Sequence, residues 1–285
     1  MPLQGSTAVI IPWKNRFEIL ATLSENASIF TDFGIEIVVV NCGGDNEFFA
    51  KGLEIIGAPV TVVELPAHSF NRSLAINIGV ACTMVEYLFI LDADVILTKD
   101  VVEACLASVR EGHIVTIERL CESRGNIPEA LSQSDYLADI RQIHGMEVSW
   151  KDGEVTCVPC QREYLDGSHG GQGQLLVSRE HLVRINGFNS RLATWGFEDV
   201  DILIRLQRAL RLPHKQLGTA VHLSHGDEAR DLGGTDRRLS NRQNAIHAFG
   251  NYARGELGGS LHEDVATWKP LIAKQLYGVR LRGWS

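Results

Sequence analysis

The chain has 285 residues, of which 45% are hydrophobic, 22% charged and 7% aromatic, which is typical of a folded globular protein and excludes disordered and fibrous classes. With 27 Lys and Arg against 35 Asp and Glu, the net charge is −8, so we expect no broad basic surface for nucleic acid. The first residues, MPLQGSTAVIIPWKN, lack the basic segment and long apolar core of a signal peptide. No apolar run approaches about 18 residues, so no membrane span is expected.

Six cysteines are sparse for this length and lie mostly in apolar surroundings, which favours free thiols and a reducing, cytoplasmic location. Only Cys157 and Cys160 are close enough in sequence to form a metal-binding pair. Together with His169 they would supply three ligands, whereas a structural zinc site needs four, and the chain has no second CxxC pair. We therefore do not expect a zinc site.

The first half of the chain alternates short β-branched runs with segments of helical periodicity. Strands are predicted for TAVIIPW, EIVVVN, VTVVEL, YLFILDADV and IVTIER, and helices for segments such as FEILATLSENASIF and DVVEACLASVR. This order predicts an α/β fold with a doubly wound, mostly parallel sheet. Because ligands of such sheets bind beyond the carboxyl ends of the strands, residues at these ends are the first candidates for a functional site.

From about residue 126 the pattern changes. A polar, helix-like stretch, SQSDYLADIRQIHG, precedes a hairpin predicted through VSWKDGEVTCV, whose turn signal is Asp152-Gly153. The segment NRQNAIHAFGNYARGEL is typical of a surface helix. Because no Gly/Ser/Pro-rich linker separates these parts, we predict a single domain. It comprises a nucleotide-binding half at about 6–125, an acceptor-side half at about 126–250, and a C-terminal tail at 251–285.

Two carboxylates close an apolar strand in the segment LDADVIL. At the end of a strand, Asp92 and Asp94 lie on the crevice side of the sheet, where one could hold a divalent cation and the other a ligand hydroxyl or a water of the metal. The spacing alone is a weak signal, because two solvated turn acids would look the same.

Another short apolar strand ends in His222 and His225. Residues three apart on an extended strand face opposite sides, so both imidazoles can reach one metal only if the chain turns between them, which Ser224 and Gly226 favour. Imidazole combined with carboxylate suits Mn²⁺ better than Ca²⁺. Asp94 with one or both histidines is therefore a candidate site for Mn²⁺ or Mg²⁺, with open positions for phosphate oxygens.

Three acids, Glu198, Asp199 and Asp201, follow Trp195 and Gly196 and lead into an amphipathic stretch. Acids at a helix start interact favourably with the helix dipole and cap free N–H groups, which accounts for at least one of them without any catalytic role. A Gly-hinged loop with a Trp beside a carboxylate is also suited to cover a sugar and to remove a hydroxyl proton. The segment is therefore a candidate catalytic loop.

These segments, in this order, resemble the inverting glycosyltransferases of the GT-A fold, especially β-1,4-galactosyltransferases and bacterial chondroitin-polymerase-like enzymes. The resemblance covers about residues 8–227 and rests on six ordered motifs. They are PWKNR at 12–16, FNRS and NIG within 70–79, LDADVIL, HGG at 169–171 followed by LLVSREHLVRINGFN, TWGFEDVD, and the pair His222 and His225.

The resemblance implies metal-dependent, inverting transfer of a sugar from a UDP-sugar to a hydroxyl acceptor, which could be a glycan, a glycolipid or a small molecule. It implies that Asp199 is the general base and that Glu198 orients the acceptor. The implied metal ligands are Asp94, His222 and His225. The implied donor-binding residues are Pro12, Lys14, Asn15, Arg16, Arg72, Asp92, Gly171 and, in a mobile loop over the donor, Trp195.

The sequence also departs from the family pattern. Val200 stands where the galactosyltransferases have a further acid that reads the acceptor, so their acceptor preference is not carried over. The first position of the metal pair varies within the family, which leaves open whether His222 binds the ion together with His225. Membrane anchor and stem are absent, which favours a soluble, bacterial-type enzyme.

Two other classes of function remain open at this point. A metal-dependent nucleotidyltransferase would also bind a nucleotide on a doubly wound sheet, but it should carry a Gly-rich triphosphate loop near its start, and IPWKNRFEIL contains no glycine. A nucleotide-sugar-binding protein without catalysis is the second alternative. The presence of Asp94, Asp199 and His225 argues against it.

Overall fold

The computed structural model describes residues 6–56, 59–67, 69–123, 142–225 and 236–277. The strands in these ranges are β1 (Thr7–Trp13), β2 (Glu36–Asn41), β3 (Val60–Glu64), β4 (Tyr87–Ile90), β5 (Val95–Ile96), β6 (Ile114–Glu122), β7 (Gln142–Ser149), β8 (Val155–Glu163), β9 (His169–Ser178), β10 (His214–His222) and β11 (Ala273–Tyr277). The helices are α1 (Glu18–Asp32), α2 (Asn46–Ile56), α3 (Arg72–Cys82), α4 (Lys99–Arg110), α5 (Arg179–Arg184), α6 (Glu198–Leu210), α7 (Arg237–Ala253) and α8 (Leu261–Trp268).

All the strands of the described ranges belong to one sheet, whose main path has the order β11-β3-β2-β1-β4-β9-β6-β10-β5. Parallel pairs join β1 to β2 and β4, β2 to β3, and β6 to β10. Strand β9 runs antiparallel between β4 and β6, so β1, β2, β3, β4, β6 and β10 all point in the same direction. The predicted α/β class with a doubly wound, mostly parallel sheet is confirmed.

Helices cover both faces of this sheet, which explains why its strands are continuous apolar runs. On β1, Ala8 and Ile10 face a core built with α3, α5, α6, α7 and α8. Val9 and Ile11 face a second core built with α1, α2 and α4. Both faces are buried, so the five predicted runs are strands as expected. The run YLFILDADV is divided into β4 and β5, because the chain turns at its two aspartates.

Helix α3 starts at a cap that also anchors it to a distant loop. The Asn71 side chain accepts a hydrogen bond from Leu74 N at 2.9 Å, which satisfies one of the free N–H groups of the first turn. Its Nδ2 donates to Ser190 O at 2.8 Å. These bonds fix Arg72, the first helical residue, at the carboxyl end of the sheet.

The second half confirms one sequence prediction and corrects another. Strands β7 and β8 form the predicted hairpin, and Gly153 in its turn has a φ of +83°, a conformation that favours glycine. Of the stretch 132–145, predicted as helix, only residues 142–145 are described. They lie in β7, so the helix prediction is wrong for them, because pairing with β8 overrides the local preference. Residues 126–141 and 226–235 of the predicted acceptor half, including Gly226 of the turn predicted between the two histidines, lie outside the described ranges.

The helix predicted near the end of the chain is present as α7. It is not a plain surface helix, because Asn244, Ala248 and Tyr252 are buried against the domain. After it, α8 is joined to α3 by a buried hydrogen bond from Asn77 Nδ2 to Asp264 Oδ2 at 2.7 Å. Strand β11 then pairs antiparallel with β3 at the sheet edge. Residues 251–277 are therefore part of the packed fold. Within the described ranges, no helix has the length and apolar character needed to cross a bilayer.

The start of α6 is held by a buried ion pair. Arg205 Nε lies 2.8 Å from Asp201 Oδ2, and both side chains are almost completely buried. The Tyr252 hydroxyl donates to Asp201 Oδ1 at 2.6 Å, and Arg205 Nη1 donates to Gly187 O at 2.8 Å. Both Asp201 oxygens and two of the three Arg205 nitrogens are therefore hydrogen-bonded, while Arg205 Nη2 is buried without a partner. Asp201 therefore fixes the helix and, with it, the orientation of the first turn.

Candidate active site

A cavity of about 1100 Å³ opens at the carboxyl ends of the parallel strands, where a doubly wound sheet binds its ligands. Most of the residues implicated by the sequence line it: Pro12, Lys14, Arg16, Arg72, Asp92, Asp94, Gly171, Trp195, Glu198, Asp199 and His222. Val200, where the sequence departs from the family pattern, lines it as well. Segments far apart in the chain thus meet in one space.

The turn after β1 divides its residues between two tasks. Asn15 has a φ of +54°, and its side chain accepts a hydrogen bond from Asp45 N at 2.7 Å. Trp13 Nε1 donates to Arg16 O at 2.7 Å and closes the turn. The structure therefore places Asn15 outside the cavity lining, as a residue that shapes the turn. Lys14 and Arg16 carry the positive charge into the cavity.

Asp94, His222 and His225 converge at the junction of β4, β5 and β10. Strand β10 pairs with β5 so that His222 stands opposite Val95, which brings its ring beside Asp94. His222 Nε2 lies 3.7 Å from Asp94 Oδ1, and His225 Nε2 lies 3.3 Å from Asp94 Oδ2. The strand ends at His222, and the chain then turns so that both rings reach the same carboxylate.

This cluster has the donor atoms of a transition-metal site. One ligand atom from each of Asp94, His222 and His225 lies within 4.8 Å of the others, a set that offers one hard oxygen and two imidazole nitrogens. Such a set fits Mn²⁺ and leaves further coordination positions for phosphate oxygens. The residues present therefore fit a divalent ion.

Charge balance at Asp94 is provided by three neighbours. Arg16 Nη1 donates to Asp94 Oδ2 at 3.1 Å. Burial would raise the pKa of Asp94, but hydrogen bonds from His222 and His225, together with the charges of His222 and Arg16, hold it well below its usual range. Burial would lower the pKa of His222, but Asp94 and Glu122 outweigh it and raise this pKa to about 9. Asp94 is therefore an anionic ligand at neutral pH.

Arg72 connects two acids that belong to different elements. Its Nε donates to Asp92 Oδ1 at 3.0 Å and its Nη1 donates to Asp199 Oδ1 at 2.5 Å. Its Nη2 donates to Gly173 O at 2.7 Å. The guanidinium is a rigid planar group, so its three bonds hold Asp92, in the turn after β4, at a fixed distance from Asp199 in α6.

Two residues of β9 complete this network, and the sequence analysis missed both. Gln174 Nε2 donates to Asp92 Oδ2 at 2.7 Å, while Gln174 Oε1 accepts from Asp92 N at 2.8 Å. A Cβ at Gly173 would lie 3.0 Å from Asp199 Oδ2 and 3.4 Å from Asp92 Oδ2, so a larger residue would crowd both acids and require them to shift by a few tenths of an ångström. The available signal was the segment GQGQ at 171–174, which places glycine and glutamine in the strand directly before its apolar run LLV.

Glu198 and Asp199 lie in the first turn of α6 and line the cavity. Burial raises the pKa of Glu198 to about 7, with a further contribution from the charge of Asp199 and an opposing one from Arg72. Burial likewise raises the pKa of Asp199 against the lowering effect of Arg72. Carboxylates with raised pKa values are better proton acceptors at neutral pH than exposed ones.

The loop before α6 contains unusual backbone conformations. Thr194, Gly196 and Phe197 have φ angles of +66°, +95° and +72°. Glycine adopts this region freely, whereas a β-branched Thr and a bulky Phe do so only under strain that the surroundings must compensate. Such strain is concentrated at the residues that flank Trp195 and precede the two cavity acids.

Helix α7 holds this loop in place, a role that the expectation of a surface helix did not include. Ser240 Oγ accepts from Trp195 N at 3.0 Å and donates to Trp195 O at 2.6 Å. Asn244 Nδ2 donates to Gly196 O at 2.8 Å, and the Arg237 guanidinium lies 4.2 Å from the centre of the Trp195 ring. The polar side of the predicted helix was the signal for this contact.

The raised pKa of Glu198 makes stability depend on pH. Between about pH 4.5 and 7 the folded protein binds the Glu198 proton and the unfolded chain does not, so the free energy of unfolding decreases as pH rises through this window. Glu198→Gln removes this titration. We expect the free energy of unfolding of the variant, relative to wild type, to increase by on the order of 2 kcal/mol from pH 4 to pH 8.

Urea unfolding at both pH values measures this difference. Glu103→Gln on the exposed side of α4 controls for the loss of one negative charge. A pH-independent difference between Glu198→Gln and wild type would contradict the burial effect.

Comparison with known proteins adds to this geometry. The sequence profile described as Glycosyltransferase like family 2 matches residues 8–233. The structure of residues 1–349 of S. aureus TarS in complex with UDP-GlcNAc is similar, with a TM-score of 0.53 at 14% sequence identity over 85% of this chain and 66% of that chain. A second structure of TarS 1–349 gives a TM-score of 0.50 at 14% identity over 76% of this chain and 60% of that chain.

A mutant of Drosophila β-1,4-galactosyltransferase 7, in complex with manganese, UDP-Gal and xylobiose, gives a TM-score of 0.46 at 17% identity, over 83% of this chain and 79% of that chain. The chain thus spans slightly less than two thirds of the two TarS fragments. Similarity at these identities concerns the fold.

Proposed function

The chain belongs to the glycosyltransferase-like family 2 and is a glycosyltransferase of the GT-A fold, and we propose that it moves a sugar from a UDP-sugar to a hydroxyl acceptor with inversion and with the help of a divalent ion. The observation that carries this proposal is the convergence of two groups in one cavity. One is the cluster of Asp94, His222 and His225, of which Asp94 and His222 line the cavity, and the other is the pair Glu198 and Asp199.

The donor end of the cavity is the part near β1 and β4. Lys14, Arg16 and Arg72 line it and can make charge-assisted hydrogen bonds to a diphosphate. Pro12 lies beside them, one residue before the end of the buried strand β1, and we propose that the turn from Pro12 to Arg16 contacts the uridine. The TarS structure in complex with UDP-GlcNAc supports a nucleotide sugar as the ligand class.

Asp94, His222 and His225 would hold Mn²⁺, or Mg²⁺, beside the diphosphate. When bound, the ion would supply positive charge for the leaving diphosphate without any proton transfer. Arg16 contacts Asp94 and lines the cavity, so it can add positive charge next to the ion site. Arg72, which is held by Asp92, supplies a second positive charge in the cavity.

The acceptor end is formed by α6 and the loop before it. Asp199 takes the proton from the acceptor hydroxyl as its oxygen forms a bond to the anomeric carbon, and the bond from that carbon to the diphosphate breaks with its electrons leaving on UDP. A single displacement of this kind inverts the anomeric centre and needs no covalent intermediate with the protein. Glu198, one residue before, orients the acceptor, and Arg72 keeps Asp199 aimed at the cavity.

The strained loop around Trp195 is suited to cover the bound donor. Thr194 and Phe197 store strain on either side of the indole, and α7 contacts hold the present arrangement. A second arrangement in which Trp195 lies over the sugar would exclude water and limit hydrolysis of the donor.

Nucleotide preference is the direct test of the donor. We expect isothermal titration calorimetry to show that UDP with Mn²⁺ binds more tightly than GDP or ADP, because the turn from Pro12 to Arg16 would enclose a base the size of uracil at the sheet edge. Equal affinity for the three diphosphates would contradict a uridine site and leave generic phosphate binding. Repeating the titrations in EDTA shows how much of the affinity depends on the ion.

The family match argues against the nucleotidyltransferase alternative. The proposed acceptor is a hydroxyl compound, and we expect the region at about 126–168, which resembles the family least, to determine its identity. A cytoplasmic location stays a prediction from the cysteines, of which Cys42, Cys82, Cys105, Cys121 and Cys157 are free in the structure.

A further inference from the structure

A second carboxylate and imidazole cluster lies directly behind the proposed metal ligands. Glu122 is the last residue of β6 and stands opposite His222 in the parallel register with β10. His169, the first residue of β9, is paired with Leu120 two positions away. One side-chain ligand atom from each of Glu122, His169 and His222 lies within 4.8 Å of the other two. The sequence analysis did not include Glu122.

Glu122 is held in place by contacts to both of its oxygens. His222 Nδ1 donates to Glu122 Oε1 at 2.9 Å, and His169 Nε2 lies 3.2 Å from the same oxygen. Ser224 Oγ donates to Glu122 Oε2 at 2.7 Å, and Ser224 N is bound to Ser123 Oγ at 3.0 Å. The carboxylate therefore has a fixed position between β6 and the turn after β10.

The bond to Nδ1 determines what the other ring nitrogen can do. An imidazole that binds a metal is neutral and has one N–H and one lone pair, so in that form an Nδ1 hydrogen that points at Glu122 leaves the lone pair on Nε2. Nε2 is the atom that faces Asp94 at 3.7 Å. The same bond fixes the plane of the ring, which a terminal strand residue would otherwise be free to rotate.

We propose that Glu122 is a positioning residue that holds His222 in the tautomer and orientation required to bind the divalent ion, and that it thereby sets the affinity for that ion. This inference rests on the proposed metal-dependent function. Carboxylates behind ligating histidines typically change metal affinity 10–100-fold when removed. It also answers a question left open by the sequence, because a ring oriented in this way is a ligand together with His225.

The cluster Glu122, His169 and His222 could instead be taken as a second ion site. That would require His222 to offer lone pairs at both ring nitrogens at once, as an imidazolate. Nδ1 carries the proton of its 2.9 Å hydrogen bond to Glu122, so it has no lone pair for a second ion. One ion per chain is therefore the expected stoichiometry.

The proposal can be tested without any transfer assay by measuring how the purified full chain binds Mn²⁺. The EPR signal of the free ion monitors this binding. We expect Glu122→Ala to weaken Mn²⁺ binding 10–100-fold. Glu122→Gln keeps an oxygen that accepts from Nδ1 and should recover most of the loss. Glu122→Asp keeps the charge but withdraws it from the ring, so it should resemble the Ala variant. Thermal unfolding in EDTA should change little in all three.

Glu118→Ala is the matched control, because Glu118 lies on the same strand and forms an ion pair with Arg162. It should bind Mn²⁺ like wild type.

Two results would overturn the positioning role. One is wild-type Mn²⁺ affinity in both Glu122→Ala and Glu122→Asp. The other is a stoichiometry of two ions per wild-type chain and one ion per Glu122→Ala chain, which would make Glu122 a ligand. If Glu122→Ala does not fold, the contrast between Gln and Asp decides. No Mn²⁺ binding by wild type would instead refute the proposed metal dependence, and the positioning role with it.

Discussion

Asp199→Asn is expected to lower the single-turnover rate of sugar transfer about 10²–10⁴-fold while leaving donor affinity nearly unchanged. Asparagine keeps the size of the side chain and an oxygen that can accept from Arg72 Nη1, but it cannot take the proton of the acceptor hydroxyl. Rapid mixing of enzyme in excess over labelled UDP-sugar, with acceptor, measures the chemical step. Calorimetry with UDP on the same samples measures the donor site.

The alternative for this pair of acids is a purely structural role at the start of α6. It predicts a loss of about 0.5–2 kcal/mol in the free energy of unfolding when either acid is changed to Ala, with catalysis per folded molecule intact. Glu198→Gln is the companion variant and should weaken acceptor binding more than it slows the chemical step. Transfer at the wild-type rate by Asp199→Asn would place the general base elsewhere.

Asp94→Asn and Asp94→Ala are expected to abolish metal-dependent transfer. Asp94 is the anionic member of the proposed ligand set, so its loss should weaken Mn²⁺ binding by more than the 10–100-fold typical of residues behind the ligands. Wild type should be more active with Mn²⁺ than with Ca²⁺, because the ligand set includes two imidazole nitrogens. It should be inactive after a chelator has removed the ion.

Equilibrium dialysis measures the loss of Mn²⁺ affinity. Transfer assays with and without EDTA measure the dependence of activity on the ion. The Asn variant separates charge from shape, since it keeps the size of the side chain next to Arg16. An Asp94→Ala enzyme that transfers sugar at full rate in the presence of chelator would show that the ion site is wrong.

Much of the donor half could be predicted because its signals are local. Strands buried on both faces are continuous apolar runs, and the acids Asp92 and Asp94 directly follow one of them. The two histidines follow another run, and the turn that brings them together is marked by polar and small residues next to them in the sequence. In each case a residue and its structural context lie within about ten positions.

The missed residues depend on the order of strands, which local patterns do not contain. Gln174 and its partner Asp92 are 82 positions apart, and Glu122 and His222 are 100 apart. Both pairs exist because β9 runs against its neighbours between β4 and β6, while β10 lies on the far side of β6. A pattern of successive βαβ units predicts that every strand is parallel to the preceding strand and lies next to it. From such a pattern, the partner of a single polar residue on β6 or β9 could not be predicted.

The pairing of β11 with β3 has a consequence for the chain as it is synthesised. Strand β3 is made early, and its free edge stays open until β11 follows roughly 200 residues later, which takes about 10–40 s at 5–20 residues per second. An open strand edge is a template on which another chain can pair. During translation, nascent chains on the same polysome can therefore pair through the open edge of β3. This risk lasts until β11 covers that edge.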